Sequence, residues 1–598
     1  MTRGLARGRG LRCSERRALA AASLLALAGC ARPEPDVVPI AIRVGAADPR
    51  CQPTTVRAVR LSFEGDFAPA PTDTLELLTA QGVRDLEGVR ADVRALRAEV
   101  DGEPSFRAIG ASPFAEARRS GAIAVLPPLI PCTLLDPDAI ATEGAALVAH
   151  PDGSGWIVGG AGTERRIVRV DARRAFADVH PDALFNRREG ASATIYGRDV
   201  ILAGGAGGAR DTAYDSYERM NEEVTPANEG PGGRLSSPRR DHAAVQIGAA
   251  LVLVGGRSGG DEDALVARID VIDLEQERGS LGPALATPRV APVLLATSDG
   301  AIAIAGGLDA TGAPIASIER IEPGLDRART LDLTVPAPDL VLPLPLDRLL
   351  HVAGRELRVV DLGSDPPRVE LLGRRTDIVA PHGLVTASGR VLLVGSTGAA
   401  RLVAELWTPH LGTARDVEVG RDPHETLLLA DDLALEVDAS GASLRVFEEP
   451  GPWSSLPNDR LFFPSDLGSS FVLASSPSDW DGARATRSGV RLGLASIVLG
   501  SFAIELDGTG GRALVLRDAS TRVTVSFDAE GNAFGPGCTL SRTGQPIVVS
   551  RVGARLELVR GAERARCEDV PSEALFAVEL ELERDAELRS LRVSRRAE

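Results

Sequence analysis

The hydrophobic pattern of the chain is built from short apolar runs that end in glycine, and the clearest example lies in residues 237–274. Here the run Leu251-Val252-Leu253-Val254 stops at Gly255-Gly256, and a second strand-like run follows at 267–274 after a polar, glycine-rich gap. Short apolar runs bounded by glycine are typical of β-strands rather than helices. Such a unit cannot bury both of its faces alone, so the pattern predicts neighbouring units of the same design.

The pattern recurs between residues 134 and 449. Four apolar runs end in a glycine pair, at 159–160, 204–205, 255–256 and 306–307. Weaker copies follow at 349–354, 391–395 and 433–438. A period of about 40 to 50 residues, with several strands and a glycine pair in each unit, indicates the sheets of a β-propeller.

The unit at 237–274 resembles a kelch repeat. The segment Pro238-Arg239-Arg240-Asp241-His242 matches the opening of the first kelch strand, Gly255-Gly256 closes the second, and 269–274 matches the third. In kelch propellers the glycine pair allows a tight, closely packed turn after the second strand. The resemblance covers about half of the chain and implies a kelch-like β-propeller over residues 134–450. Seven copies predict seven blades, with six blades as the alternative.

The flanking regions also predict β structure, so the expected fold class is all-β throughout. Residues 37–133 predict a small sandwich of immunoglobulin-like or transthyretin-like type, interrupted by a helix over 86–100 because Leu86, Val89, Val93, Leu96 and Val100 fall on one helical face. Residues 451–598 contain longer alternating strands, at 502–506, 512–516, 522–527, 546–552, 554–559 and 576–582. Their order and length resemble a concanavalin-like or laminin-G-like jelly-roll sandwich.

The N-terminus predicts export and lipid anchoring. Several arginines precede the apolar stretch 18–28, which at eleven residues is too short to span a bilayer as a mature helix. It ends in Leu27-Ala28-Gly29-Cys30, which resembles a bacterial lipobox. The resemblance implies a signal peptide at 1–29, lipidation of Cys30, a tether at 30–36, and an outer-membrane anchor facing the periplasm or the cell surface. An ordinary signal peptide with an incidental cysteine is the alternative.

The remaining cysteines support an oxidising compartment. Without Cys30 and the cysteine of the signal peptide, four are left in two widely separated groups. The economical pairing is Cys51 with Cys132 and Cys538 with Cys567, and four unpaired thiols are the alternative. No cysteine or histidine spacing matches a metal site, so no metal and no cofactor are predicted.

Composition and residue counts narrow the function. The net charge of -16 argues against a nucleic-acid partner. Some kelch propellers resemble galactose oxidase, whose copper site needs a cysteine cross-linked to tyrosine, but no cysteine lies between Cys132 and Cys538. Glu505-Leu506-Asp507 resembles the start of a laminarinase-like pair of carboxylates, but the position of the second glutamate is Gly510. We therefore predict 507–511 to be a turn and the protein to be no enzyme of these two types.

A binding function remains. Arg188, Arg239 and Arg289 lie 16 or 17 residues before their glycine pairs, where the kelch resemblance implies arginines that can line a central channel. Converging guanidinium groups would suit a carboxylate or an acidic peptide. The alternative is pairing with nearby acids such as Asp241, while His242 is predicted to be structural.

The sequence therefore predicts a non-enzymatic envelope lipoprotein for surface recognition or scaffolding through the propeller. The predicted partner is a protein or peptide, and the membrane is contacted through the lipid anchor alone. The alternative function is carbohydrate binding or processing by the C-terminal sandwich.

Overall fold

The computed structural model describes an all-β chain from residue 38 to residue 595. Short segments inside this range are not described: 45–47, 66–72, 76–80, 87–92, 104–105, 114–121, 135–143, 151–153, 161–164, 172–175, 208–211, 222, 225–232, 260–262, 298, 376–377, 387–389, 409–412, 419–424, 430–432, 439–440, 448–458, 463–471, 475–483, 487, 500–501, 518–521, 529–531, 542–545, 553, 561–562 and 571–575. The predicted signal peptide, Cys30 and the tether lie outside the described residues. Within the described residues, no helix is long and apolar enough to cross a membrane.

The N-terminal region consists of two sheets and one short 3-10 helix, Pro49–Cys51. One sheet has the order β4-β1-β7 and the other β3-β2-β5-β6. The strands are β1 (Val38–Val44), β2 (Thr55–Gly65), β3 (Asp73–Leu75), β4 (Gln81–Leu86), β5 (Val93–Glu103), β6 (Phe106–Pro113) and β7 (Ala122–Val125). Reciprocal backbone hydrogen bonds of 2.9 and 3.0 Å between Ile109 and Leu126 connect the two sheets.

The helix predicted over 86–100 is wrong. The chain is in β4 up to Leu86, and from Val93 it forms β5, which lies between β2 and β6. Ala98 and Val100 are fully buried while Glu99 between them is half-buried, which is the two-residue period of a strand. Spacing alone misled the prediction, because pairing with β2 and β6 decides the conformation here.

Seven antiparallel sheets follow, which we number in chain order; sheet 2 has five strands and each of the others has four. Sheet 1 contains β9 (Ala145–Ala149), β10 (Ser154–Gly159), β11 (Ile167–Asp171) and β12 (Phe176–His180). Sheet 2 contains β13 (Glu189–Tyr196), β14 (Asp199–Gly207), β16 (Ser216–Met220) and β17 (Gly233–Arg234), with β15 (Thr212–Ala213) paired to β14. Sheet 3 contains β18 (Ala243–Ile247), β19 (Ala250–Val254), β20 (Arg268–Asp273) and β21 (Arg278–Ala284). Sheet 4 contains β22 (Val293–Ala296), β23 (Ile302–Ala305), β24 (Glu319–Ile321) and β25 (Ala328–Thr330).

Sheet 5 contains β26 (Leu340–Leu344), β27 (Arg348–Ala353), β28 (Glu356–Asp361) and β29 (Arg368–Arg374). Sheet 6 contains β30 (Ile378–Val385), β31 (Val391–Thr397), β32 (Leu402–Thr408) and β33 (Thr413–Asp416). Sheet 7 contains β34 (Glu425–Leu428), β35 (Leu433–Asp438), β36 (Gly441–Val446) and, from the other end of this region, β8 (Cys132–Thr133). Each of the seven apolar runs identified in the sequence lies in the second strand of its sheet.

The second strand of sheet 3, β19, is apolar along its whole length because a neighbouring sheet covers each of its faces. Leu251 and Leu253 of β19 pack in a cluster with side chains of sheet 2, while Val252 and Val254 pack in a cluster with those of sheet 4. All four are buried. Burial on both faces explains a continuous apolar run where a strand with one exposed face would alternate.

The first strands of the seven sheets contact one another in a cycle. β9 contacts β13, and the series continues through β18, β22, β26, β30 and β34, which contacts β9 again. In contrast to the second strands, every residue of β13 and of β18 is only half-buried. The cycle therefore holds the first strands side by side, with more solvent access than the apolar strands behind them.

Sheet 7 is completed by a strand that precedes sheet 1 in the chain. Cys132 and Thr133 of β8 pair with Leu444 and Ser443 of β36, so β8 belongs to sheet 7 although the sequence grouped it with the N-terminal sandwich. The predicted Cys51–Cys132 disulfide is present and fastens this strand to the N-terminal region. Sheet 7 is thus assembled from both ends of the seven-sheet region.

The C-terminal region is a sandwich of a six-stranded and a seven-stranded sheet around one apolar core. The six-stranded sheet has the order β37 (Asp459–Phe462), β49 (Glu587–Arg595), β40 (Phe502–Thr509), β45 (Ile547–Val552), β46 (Arg555–Arg560) and β47 (Glu563–Arg566). The seven-stranded sheet has the order β38 (Val472–Ala474), β39 (Val490–Leu499), β48 (Phe576–Leu582), β41 (Arg512–Arg517), β42 (Arg522–Phe527), β43 (Ala533–Gly535) and β44 (Cys538–Leu540). All six strands predicted from the alternating pattern are present.

The second predicted disulfide, Cys538–Cys567, is also present. Cys538 lies in β44, at the edge of the seven-stranded sheet, and Cys567 directly follows β47, at the edge of the six-stranded sheet. The bond therefore closes one side of the sandwich.

Arg491 of β39 connects this sandwich to sheet 5. Its guanidinium donates a 2.8 Å hydrogen bond to Asp347, contacts Asp361 at 3.4 Å and bonds to the carbonyl oxygen of Leu346. The Arg491 side chain is only 6% exposed, so the contact is a desolvated charge network between two regions of the chain.

Candidate functional site

The three arginines predicted to bind a ligand occupy equivalent interior positions in sheets 2, 3 and 4. Arg188 pairs with Glu218 at 2.7 Å, Arg289 pairs with Glu319 at 2.7 Å, and Arg239 pairs with Asp270. All three arginine side chains have no exposed surface. Each carboxylate lies on the third strand of the same sheet.

The buried ion pairs are completed by backbone groups. Glu319, for example, accepts hydrogen bonds from the backbone amides of Ala286 and Thr287, at 2.7 and 3.1 Å, and Arg289 donates to the carbonyl oxygen of Gly306 at 3.0 Å. Burial lowers the pKa of Arg289 and of Arg239, while the paired carboxylates oppose this shift. In this position the guanidinium groups offer no side-chain surface to a ligand.

The partners are acids, as the alternative interpretation expected, but for Arg239 the partner is Asp270 and not Asp241. Sequence reasoning missed the three partner acids. A signal was present, because the acids follow their arginines by 30, 31 and 30 residues.

The same arginines explain the glycine pairs. The amides of Gly160, Gly205 and Gly256 donate hydrogen bonds of 2.9 to 3.0 Å to the carbonyl oxygens of the arginines in the next sheet. A Cβ atom on the preceding glycine, such as Gly204, would lie closer than 3.0 Å to that same carbonyl oxygen. Both glycines of each pair also have positive φ, which glycine adopts without strain. We call this end of the sheets, where the second strand ends in the glycine pair, the glycine end.

A set of four charged side chains lies at the glycine end of sheet 3. Arg240 and Arg257 face each other across a β-bridge, and both contact Asp263, at 3.4 and 3.5 Å. Asp241 lies 3.9 Å from Arg240. The four side chains are between 25% and 38% exposed, so unlike the buried arginines they are accessible to a binding partner.

Asp241 occupies a special backbone position. Its φ is +53°, and its amide donates to the carbonyl oxygen of Gly190 in sheet 2 at 2.7 Å while its own carbonyl oxygen accepts from Ala291 of sheet 4 at 2.7 Å. Burial raises the pKa of the Asp241 carboxyl, which Arg240 and Arg257 oppose. Asp241 thus links three consecutive sheets while holding a carboxyl group beside the two arginines.

His242 forms a hydrogen bond with Ser192 of sheet 2, with 2.8 Å between Nε2 and Oγ. Burial and the charges of Arg239 and Arg188 lower the pKa of His242 to about 3, so the imidazole is neutral. Among the described residues, its Nδ1 has no hydrogen-bond partner. The Ser192–His242 hydrogen bond links sheets 2 and 3.

In the C-terminal sandwich, Glu505 and Asp507 have no second glutamate after them, because Gly510 occupies the position where the laminarinase-like motif would have it. Glu505 and Asp507 both lie in β40, which continues to Thr509, so the predicted turn is confined to Gly510 and Gly511. Gly510 has a φ of +85°, and a Cβ there would meet the backbone of Ala586. Across the described part of the chain, no group of three or more His, Cys, Asp or Glu residues has the arrangement of a metal site.

Comparison with known proteins gives little. No family model and no curated protein matches the chain. A solved structure titled "Structure of YjhT" is similar to 47% of this chain and to 98% of its own, with 9% sequence identity and a TM-score of 0.34. A likeness at this score carries no argument about fold or function, so the interpretation depends on the residues described above.

Proposed function

We propose that residues 134–450 form a seven-bladed, kelch-like β-propeller and that residues 451–598 form a concanavalin-like sandwich. The cyclic contact of seven first strands supports the first assignment, because a propeller arranges its sheets around a central axis. The pairing of β8 with β36 supports it further, since a strand from the start of the region completes the last sheet. Closure of this kind leaves fewer unpaired edges than an open stack.

Truncation tests the propeller. A chain that ends at residue 450 should keep a cooperative unfolding transition by circular dichroism, because all seven sheets remain. A chain that ends at residue 420 loses the three strands of sheet 7 that follow sheet 6, and it should aggregate or lose the transition. Equal stability of the two chains would exclude sheet 7 as part of the ring.

We further propose that the protein is a non-enzymatic envelope lipoprotein that recognises a protein or peptide partner through the glycine end of the propeller. The observation that carries this proposal is the accessible set of Arg240, Arg257, Asp241 and Asp263, which contrasts with the fully buried ion pairs behind it. The flanking regions contact sheet 5 through Arg491 and sheet 7 through the Cys51–Cys132 disulfide, and both contacts lie outside sheets 2 to 4.

Site-specific photo-crosslinking in cells tests the recognition function. A benzophenone amino acid at the exposed position of Ala264, next to Asp263, or at exposed Ala291 should give discrete cross-linked species. The same group at Leu281, which is 59% exposed on the fourth strand of sheet 3, is the control. Excess unlabelled wild-type protein should compete for the species formed at 264 and 291. Identical patterns at all three positions would contradict recognition through this end.

The lipid anchor has its own test. Cys30→Ala should abolish labelling with a palmitate analogue and leave an unprocessed or soluble protein, because the thiol is the acceptor for the diacylglycerol group. Unchanged labelling would exclude Cys30 as the lipidation site while leaving the propeller proposal intact.

A further inference from the structure

We propose that the glycine end of sheets 3 and 4 binds a peptide C-terminus, with Arg240 and Arg257 holding the terminal carboxylate and Leu308 contacting an aliphatic last side chain. This inference rests on the recognition function proposed above and names the ligand class of that surface.

The first argument is the spare hydrogen-bonding capacity of the two arginines. Each guanidinium has five N–H donors, yet the contacts of Arg240 and Arg257 with Asp263 are 3.4 and 3.5 Å long. Charge-assisted hydrogen bonds are normally about 2.7 to 2.9 Å long, as the buried Arg289 pair with Glu319 is at 2.7 Å. A second carboxylate with better geometry would satisfy donors that Asp263 leaves unused.

The second argument is the position of Asp263 itself. Its carboxylate lies between the two guanidinium groups, contacting Arg240 and Arg257 from a loop residue with a φ of +36°. Asp263 is 36% exposed, so the interaction is screened by solvent and weak. The aspartate therefore stands where a ligand carboxylate would bind, and it acts as a weak internal competitor.

The third argument is the apolar neighbour. Leu308 follows its glycine pair in sheet 4 as Arg257 does in sheet 3, and it forms a β-bridge to Val290 as Arg257 does to Arg240. The amide of Gly256 donates to the carbonyl oxygen of Arg289 at 2.9 Å, so the two sheets are fastened at this end. Leu308 is 40% exposed, so its side chain can contact a ligand. A carboxylate site in sheet 3 and an exposed leucine at the same end of the adjoining sheet 4 fit a chain terminus that ends in an aliphatic residue.

Fluorescence anisotropy with the full mature chain tests the proposal. The probe is fluorescein-Ala-Ala-Ala-Leu with a free carboxylate, and its C-terminal amide is the matched control peptide. We expect the free acid to bind at least about 10-fold more tightly than the amide, because the amide cannot form the bidentate charged contact. Arg257→Gln should weaken binding of the acid by a similar factor, whereas Asp263→Asn should strengthen it several-fold by removing the competitor.

Two further variants separate the apolar contact from general effects. Leu308→Ser should weaken binding of the Leu-terminated probe but not of a Gly-terminated one. Leu281→Ser, at a leucine that is 59% exposed on the fourth strand of sheet 3, should change neither.

Several outcomes would overturn the proposal. These are equal binding of acid and amide, no effect of Arg257→Gln, weaker binding after Asp263→Asn, or no saturable binding at about 1 mM. Binding of an oligogalacturonate through the same arginines, without binding of the peptide, would replace the peptide with a carboxylated sugar. If the probe fails while cross-links at 264 and 291 persist, the ligand class is wrong and the recognition function stands. Loss of both would refute both.

Discussion

The backbone amide of Gly205 donates a 2.9 Å hydrogen bond to the carbonyl oxygen of Arg239. This contact joins the second strand of sheet 2 to the start of sheet 3, and the arginine at its far end holds the buried Asp270. The glycine pair of sheet 2 and Arg239 of sheet 3 therefore hold the two sheets close together, and the charge of Arg239 is compensated inside sheet 3 by Asp270. The same contact joins Gly160 to Arg188 and Gly256 to Arg289, and we call this glycine–arginine contact between successive sheets the joint.

The first prediction concerns this joint. Gly204→Ala should lower the free energy of unfolding by about 2–4 kcal/mol, because the new Cβ would overlap the carbonyl oxygen of Arg239 and the residue has a φ of +61°. Gly197→Ala is the matched control, since Gly197 has a φ of +63° but no atom within 4 Å of the added Cβ. The control should lose only about 1 kcal/mol of backbone strain energy. Urea denaturation of both variants measures the difference, and equal losses would show that close packing at the joint is unimportant.

Much of this architecture was predictable from the sequence, for a physical reason. Strands covered on both faces need continuous apolar runs, and the joint needs glycine, so both requirements are visible in residues such as Val252 and Gly255. The region around Val93 was not predictable in this way. Its apolar residues fit a helical face as well as a strand, and only long-range pairing with β2 and β6 decides between the two.

The second prediction compares the two disulfides. Replacing Cys51 and Cys132 together by serine should cost about 4–5 kcal/mol, against about 3–4 kcal/mol for Cys538 and Cys567, because the first bond closes the longer loop, with sequence separations of 81 and 29. The first loss should also increase amide hydrogen exchange in β36, since Cys132 belongs to the strand that pairs with it. The second loss should leave β36 protected. Equal exchange in the two variants would contradict a role of the first disulfide in completing sheet 7.

The candidate site was less predictable than the fold. The kelch resemblance pointed to Arg188, Arg239 and Arg289, and their spacing is real, but spacing does not reveal on which side of a strand a guanidinium is buried. Each accessible arginine directly follows a residue that the kelch resemblance identified: Arg240 follows Arg239, and Arg257 follows Gly256. A strand places neighbouring residues on opposite faces, so an error of one position exchanges interior for surface.

The third prediction concerns pH. Folded His242 stays neutral down to about pH 3, whereas in the unfolded chain it binds a proton near pH 6.5. Between these values the unfolded state binds more protons, so stability rises with pH and is lost as the pH falls from about 6.5 towards 3. His242→Gln keeps a hydrogen-bonding group near Ser192 but does not titrate, and its stability should fall less steeply over this range. Urea midpoints at pH 4, 5, 6 and 7 measure the slopes. Identical slopes for wild type and His242→Gln would mean that His242 is accessible to protons in the folded state.

The last prediction concerns the contact between sheet 5 and the C-terminal sandwich. Arg491→Met removes one charge from a buried network and leaves the carboxylate of Asp347 without its 2.8 Å contact, so we expect a loss of about 3–5 kcal/mol in the stability of the docked arrangement. Adding Asp347→Asn to this variant should restore part of the lost stability. The reason is that asparagine carries no negative charge, so the buried site no longer needs the positive charge that Arg491 supplied. Arg522→Met is the control, since Arg522 pairs with Glu581 at 3.1 Å on the surface of the same sandwich and should change stability by about 1 kcal/mol at most. Hydrogen exchange at Leu346 and Asp347 measures docking directly. If Arg491→Met leaves that exchange as slow as in the control, apolar contacts hold the sandwich in place and the charge network is secondary.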